Sequence, residues 1–113
     1  MIYIERKREG FLKMDNDKTI AMNILQQLGG NRFIVFTGSS NFVALKNGLL
    51  CKLVRNSSHA NYMKVELTPM DTYKVSFLYS SVRGIKTKKV YDDIYCDDLQ
   101  NIFEQTTGLY THL

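Results

Sequence analysis

Two stretches of this chain alternate between apolar and polar residues, and alternation of that period fits a strand covered on one face only. In residues 62–68, Met63, Val65 and Leu67 fall on one side and Tyr62, Lys64, Glu66 and Thr68 on the other. In residues 72–80, Tyr73, Val75, Phe77 and Tyr79 oppose Lys74, Ser76 and Leu78. A register slip of one residue would turn every apolar side chain to water. Each is worth about 1.5–3 kcal/mol when fully buried, so the register is strongly specified. Pro69-Met70-Asp71 supplies the turn between the two strands.

The rest of the chain supplies what such strands need to pack against. Ile20, Ala21, Ile24, Leu25 and Leu28 recur at helical spacing, with Asp17 as the expected N-cap and Gly29-Gly30 as the stop, giving a helix over roughly 17–28. Residues 32–37 (Arg-Phe-Ile-Val-Phe-Thr) are β-branched and aromatic and predict a strand covered on both faces. Asn47-Gly48 separates two further runs, 42–46 and 49–55, and predicts a hairpin with positive φ in its turn. Residues 56–61 form a polar loop, and 80–84 a turn. Residues 85–91 predict a last strand with a bulge near Lys88-Lys89. A final helix over about 97–107 carries Leu99, Ile102 and Phe103 on one stripe. Asp97 and Gln100 resemble a capping box at its start, and Gly108 stops it.

Connections this short favour antiparallel neighbours. The expected architecture is therefore α+β: an antiparallel β-meander of five or six strands with an N-terminal and a C-terminal helix packed on one face. Residues 17–113 make one domain, and residues 1–16 an N-terminal arm expected to be mobile unless something pairs with it. Within that arm Ile2 and Ile4 alternate with Tyr3 and Glu5 as a short strand would. A chain of 113 residues with seven Tyr and six Phe has area for one modest core, which excludes wholesale disorder. No apolar run reaches the roughly 18 residues of a membrane span, and no secretory signal is visible, so a cytoplasmic location is expected.

The net charge is +4, unevenly spread. Residues 19–90 carry ten Lys or Arg against Glu66 and Asp71 alone, whereas residues 91–113 carry Asp92, Asp93, Asp97, Asp98 and Glu104 with no Lys or Arg. A basic body and an acidic end suit a polyanionic partner, although scattered lysines also serve solubility alone. Asp97 and Asp98 have a structural reason too, since a helix N-terminus favours negative charge. Cys51 and Cys96 belong to no CxxC pair, and His59 and His112 complete no zinc spacing. Two free, reduced cysteines are the expectation for that location.

Three stretches carry a resemblance. They are Leu25-Gln-Gln-Leu-Gly-Gly-Asn-Arg-Phe-Ile-Val-Phe-Thr-Gly38, Asn41-Phe-Val-Ala-Leu-Lys-Asn-Gly48 and Thr107-Gly-Leu-Tyr-Thr-His-Leu113. Together they resemble a family of small uncharacterised proteins carried by tailed phages, prophages and other mobile elements. The resemblance spans roughly residues 22–113. It implies a genomic context and a location in the bacterial host's cytoplasm, with no active-site residues attached.

No nucleotide-binding, nucleophile-elbow or zinc-hydrolase motif is present, so an enzyme and a cofactor are not expected. Gly29-Gly30 follows a helix and opens no phosphate loop, Asp92 to Asp98 match no calcium loop, and Cys51 with His59 or His112 has no spacing that demands a nucleophile and base. The open sheet face is the stronger candidate. Lys64, Lys74 and Tyr62 share it by alternation; Lys52, Lys86 and Lys88 are expected to join, with Arg55, Arg83 and Lys89 at nearby strand ends or turns. Ammonium groups beside an aromatic ring are what single-stranded nucleic acid uses, though Lys is also an ordinary occupant of a solvated face. The expected function is a non-enzymatic accessory protein that binds nucleic acid. The alternative is an inhibitor of a host protein, acting through Asp92, Asp93, Asp97, Asp98 and Glu104 as a phosphate mimic, with Tyr91, Tyr95 and Tyr110 as anchors. A homo-oligomer paired through an edge strand is a third.

Overall fold

In the computed structural model the backbone is described for residues 2–3 and 11–111, and side chains for 18–111. The elements in chain order are β1 (Ile2–Tyr3), α1 (Phe11–Leu28), α2 (Asn31–Thr37), β2 (Ser40–Leu45), β3 (Gly48–Lys52), β4 (Tyr62–Leu67), β5 (Tyr73–Ser81), β6 (Gly84–Ile94) and α3 (Leu99–Thr107), the last preceded by a 3-10 turn over Cys96–Asp98. All six strands form one sheet in sequence order. β2 to β6 are an antiparallel meander, and β1 lies parallel to β2 at the edge. The α+β architecture with terminal helices on one face is as expected from the pattern. Among the described residues no helix is long and apolar enough to cross a membrane.

The core lies between the helices and one face of the sheet. Ala21, Ile24, Leu25 and Leu28 of α1 and Leu99 and Phe103 of α3 are buried together with Leu49, Cys51, Met63, Val65, Tyr73, Val75 and Phe77. The α1 stripe is the one the spacing predicts. The helix itself starts earlier, at Phe11, so Asp17 is an interior residue and not a cap. The expectation of a mobile arm concerns residues 1 and 4–10 as well, which lie outside the described residues; Ile2 and Tyr3 pair with Phe42 and Val43.

Residues 32–37 are not a strand. They form α2, and the reason shows in what they bury. Phe33 and Thr37, one helical turn apart, are 0% and 2% exposed, while Val35 and Phe36 stand 74% and 43% exposed. A strand covered on both faces would have buried all four. Phe33 meets Phe42 and Phe103 edge to face, with ring centroids 6.3 and 4.9 Å apart. Gly29-Gly30 therefore ends one helix and starts another, with Gly30 N–H donating to the Leu25 carbonyl at 2.8 Å.

The β2–β3 hairpin also differs from expectation. Leu45 pairs with Gly48, so the turn is Lys46-Asn47, and neither Asn47 nor Gly48 has positive φ. Gly48 is required by crowding instead: a Cβ there would lie 2.1 Å from the Val65 carbonyl oxygen of the neighbouring strand. At α3, Asp97 sits in the 3-10 turn, and Gln100 Nε2 donates to the Leu28 carbonyl at 2.9 Å; the expected capping box does not form. Gly108 does stop the helix, in the left-handed conformation, its N–H donating to the Glu104 carbonyl at 2.9 Å.

Candidate nucleic-acid interface

The ladder fixes which side chains share the uncovered face. Directly opposed residues point the same way, and so do residues two apart on a strand. Lys52 is opposite Tyr62, Leu50 opposite Lys64, Lys64 opposite Ser76, and Glu66 opposite Lys74. Lys52, Lys64 and Lys74 therefore occupy one straight diagonal across β3, β4 and β5. Successive Cβ atoms on such a diagonal are about 7–8 Å apart. Tyr62 stands beside Lys52 at one end of the line. α1 and α3 pack on the other face, so among the described residues no element covers the lysines.

One carboxylate enters this row. Glu66 Oε1 lies 3.9 Å from Lys64 Nζ, and both side chains are substantially solvated. A pair of that kind is worth about 0–1 kcal/mol and leaves the ammonium available. Lys52, Lys74, Arg83, Lys86, Lys88 and Lys89 have no ion-pair partner among the described residues. Leu50, Leu78, Val43 and Val90 fill the gaps between the cations as half-buried or exposed apolar groups.

The remaining basic residues fall elsewhere. Phe77 pairs with Lys89 but Leu78 pairs with Thr87, so Lys88 is an extra residue, a bulge at the place the sequence suggested. The bulge reverses the parity of β6. Lys86 pairs with Tyr79, on the helix side of the sheet, and Lys88 Nζ lies 5.9 Å from the Tyr79 ring centroid. Lys86 and Lys88 thus do not join Lys64 and Lys74. Arg83 is exposed in the Val82-Arg83 tip of the β5–β6 hairpin, where its N–H donates to Ser81 Oγ at 3.2 Å. The whole stretch from Ser81 to Val90 is exposed, so this hairpin projects past the helices.

The acidic residues gather at the opposite end of β6. A second irregularity, with Asp93 at φ 56°, turns the strand beside Lys74. Asp92, Asp93, Asp97 and Asp98 are all exposed, as are Tyr95 and Tyr110. Tyr91 is half-buried: its ring meets Phe77 edge to face at 6.3 Å and its hydroxyl accepts from Thr106 Oγ1 at 3.0 Å. Among the described residues no three His, Cys, Asp or Glu side chains cluster so as to hold a metal ion.

Sequence reasoning missed a concave site at the end of β3 and β4. A cavity of about 260 Å³ lies between the β3–β4 loop and β5, lined by Leu53, Val54, Arg55, Asn56, His59, Ala60, Asn61 and Tyr79. The loop is held by its own amides. Asn56 Nδ2 donates to the Val54 and Ala60 carbonyls at 2.7 and 2.9 Å, and Asn56 Oδ1 accepts from the Ser58 N–H and hydroxyl. Asn61 pairs with Ser80 through both ends of its amide, at 2.8 and 2.9 Å. Ser57 N–H donates to the Thr107 carbonyl at 3.0 Å, tying the loop to α3. A larger cavity of about 410 Å³ is lined, among the described residues, by Gly29, Arg32, Gln100 and Thr111, which supply one cation and no aromatic ring.

Cys51 is fully buried in β3, and burial pushes its thiol up to about 12. A thiol in that state supplies no thiolate near neutral pH. Cys51 and Cys96 are both free, the second exposed. No family model, no curated protein and no solved structure matches the chain.

Proposed function

We propose that the chain is a non-enzymatic accessory protein of a phage or mobile element that binds single-stranded nucleic acid across its open sheet face, in the cytoplasm of a bacterial host. The observation that carries this reading is the diagonal of Lys52, Lys64 and Lys74 over three adjacent strands, beside Tyr62 and, among the described residues, under no second layer. Ammonium groups at that spacing can follow the phosphates of an extended strand, and Tyr62 offers a ring for a base. The resemblance of three stretches to proteins of tailed phages supports the setting.

Binding of fluorescein-labelled oligothymidylate or oligouridylate, read by anisotropy at low salt, tests it. Lys64→Glu/Lys74→Glu is expected to abolish binding, and Glu66→Gln to strengthen it by removing the one carboxylate in the row. Absence of binding at low salt, or binding indifferent to both substitutions, refutes the reading.

A second reading rests on the acidic end. Tyr95, 63% exposed, stands between Asp92-Asp93 and Asp97-Asp98, and Tyr110 is 73% exposed. An exposed ring flanked in sequence by four carboxylates suits the basic site of a host protein. It predicts one stoichiometric partner in a pull-down, released by Asp97→Lys/Asp98→Lys.

A further inference from the structure

We infer that the cavity between the β3–β4 loop and β5 is a nucleobase pocket, taking one unstacked base of the strand that the sheet face holds. The inference rests on that nucleic-acid reading and assigns a second subsite to it.

Position comes first. Lys52 and Tyr62 are the last strand residues before the loop, and Leu53 N–H donating to the Asn61 carbonyl at 2.9 Å closes the loop directly behind them. The pocket lies beyond that end of the two strands, and Tyr79 lines it from the helix side of the sheet, the face opposite to the lysines. A strand leaving Lys52 reaches it by turning from the open face round the end of β3 and β4. The far end of the diagonal, at Lys74, runs instead toward Asp92 and Asp93, which repel phosphate.

Chemistry comes second. Tyr79 lines the pocket and is 42% exposed, because the helices do not extend over this part of β5. Its ring offers a base a face or edge. Arg55 and His59, both exposed, line the same cavity, and Lys88 Nζ lies 5.9 Å from the Tyr79 centroid. The Arg55 and Lys88 cations beside an aromatic wall match a nucleotide, with the ring system inside and the phosphate at the rim. The volume of about 260 Å³ lies just below the roughly 300–1,000 Å³ of ordinary ligand sites and suits one ring system.

Pre-organisation comes third. Loops are ordinarily the mobile parts of a fold. This one is fastened by Asn56 and Asn61 and to α3 by Ser57, and it holds His59 at φ 64°, a conformation that non-glycine residues seldom adopt. A base entering such a site meets walls already in place, so little ordering accompanies binding.

The experiment uses the full chain and two probes. In an amide NMR titration, thymidine monophosphate is expected to shift Arg55 to Asn61 and Tyr79 to Ser80 to saturation, and deoxyribose phosphate is not. In anisotropy, Tyr79→Ala is expected to weaken oligothymidylate binding about tenfold, with Tyr79→Phe close to wild type. The amide spectrum of Tyr79→Ala checks that the loop is intact; if it is not, the monophosphate titration of Tyr79→Phe carries the test. Equal shifts with deoxyribose phosphate overturn the base pocket. So does unchanged oligothymidylate binding by Tyr79→Ala while Lys64→Glu/Lys74→Glu still loses it; the sheet-face reading then stands alone. Wild-type protein that binds no oligonucleotide overturns both.

Discussion

Cys51 shows how much one side chain can say about its surroundings. It alternates onto the core face of β3, and its thiol is sealed from water. Burial disfavours the thiolate, which moves the thiol from an ordinary 9.0 up to about 12. The consequence for stability has a definite sign. Below about pH 9 the thiol is protonated in both the folded and the unfolded chain, and its contribution is fully present. Between about 9 and 12 the unfolded chain releases a proton that the folded chain keeps, so stability falls as pH rises, by about 1.4 kcal/mol per pH unit. Other groups titrate in the same range, so the clean measurement is a difference. The gap in unfolding free energy between wild type and Cys51→Ala, from urea titrations, is expected to shrink by about 2 kcal/mol from pH 9 to about 10.5. A gap that does not change with pH would mean that the thiol is open to water.

At the scale of elements, α2 is where local preference and packing disagree. Val35 and Phe36 favour strands by type. They were free to take a helix because neither is needed in the core, and the helix lets Phe33 reach Phe42 and Phe103. Phe33→Ala is expected to cost about 3–5 kcal/mol, and Val35→Ala to change stability by no more than about 0.5 kcal/mol. Comparable losses at both positions would restore the two-sided strand. The same contrast explains what the sequence made legible. β4 and β5 could be read because one face is wet and one is dry, and a period of two survives that division. The lysine diagonal followed from that alternation as far as Phe77. Beyond it a single extra residue, Lys88, reversed the parity, and Lys86 and Lys88 moved to the other face. A bulge can be suspected from sequence, but which residue is extra depends on the partner strand. The pocket was not legible at all. Arg55, His59 and Tyr79 meet only through the hydrogen bonds of Asn56 and Asn61, and nothing in their spacing encodes that. Residues 32–37 take a helix and not the expected strand because a short apolar run, here the four residues 33–36, fits a strand and a buried helical turn equally well.

At the scale of the molecule, charge is laid out along a path. The lysine diagonal lies on the open face, the proposed pocket with Arg55 and Lys88 lies round the end of β3 and β4 on the helix side, and Asp92 and Asp93 bound the other end. Overall charge and a specific path make different predictions, and salt separates them. Each phosphate that a cation neutralises releases counterions, so the logarithm of the binding constant falls with the logarithm of salt concentration at about −0.7 per phosphate for a single strand. Lys52, Lys64, Lys74, Arg55 and Lys88 together set an expected slope of about −3.5. Alanine in place of Lys52, Lys64 or Lys74 should make the slope shallower by about 0.7 in each case. Lys18, exposed on α1 across the core from the open sheet face, carries the same charge and lies off the path. Lys18→Ala should lower affinity slightly through net charge and leave the slope unchanged. If Lys18→Ala and Lys64→Ala shift the slope equally, the attraction belongs to the net charge of the whole surface, and the path across the sheet has no part in binding.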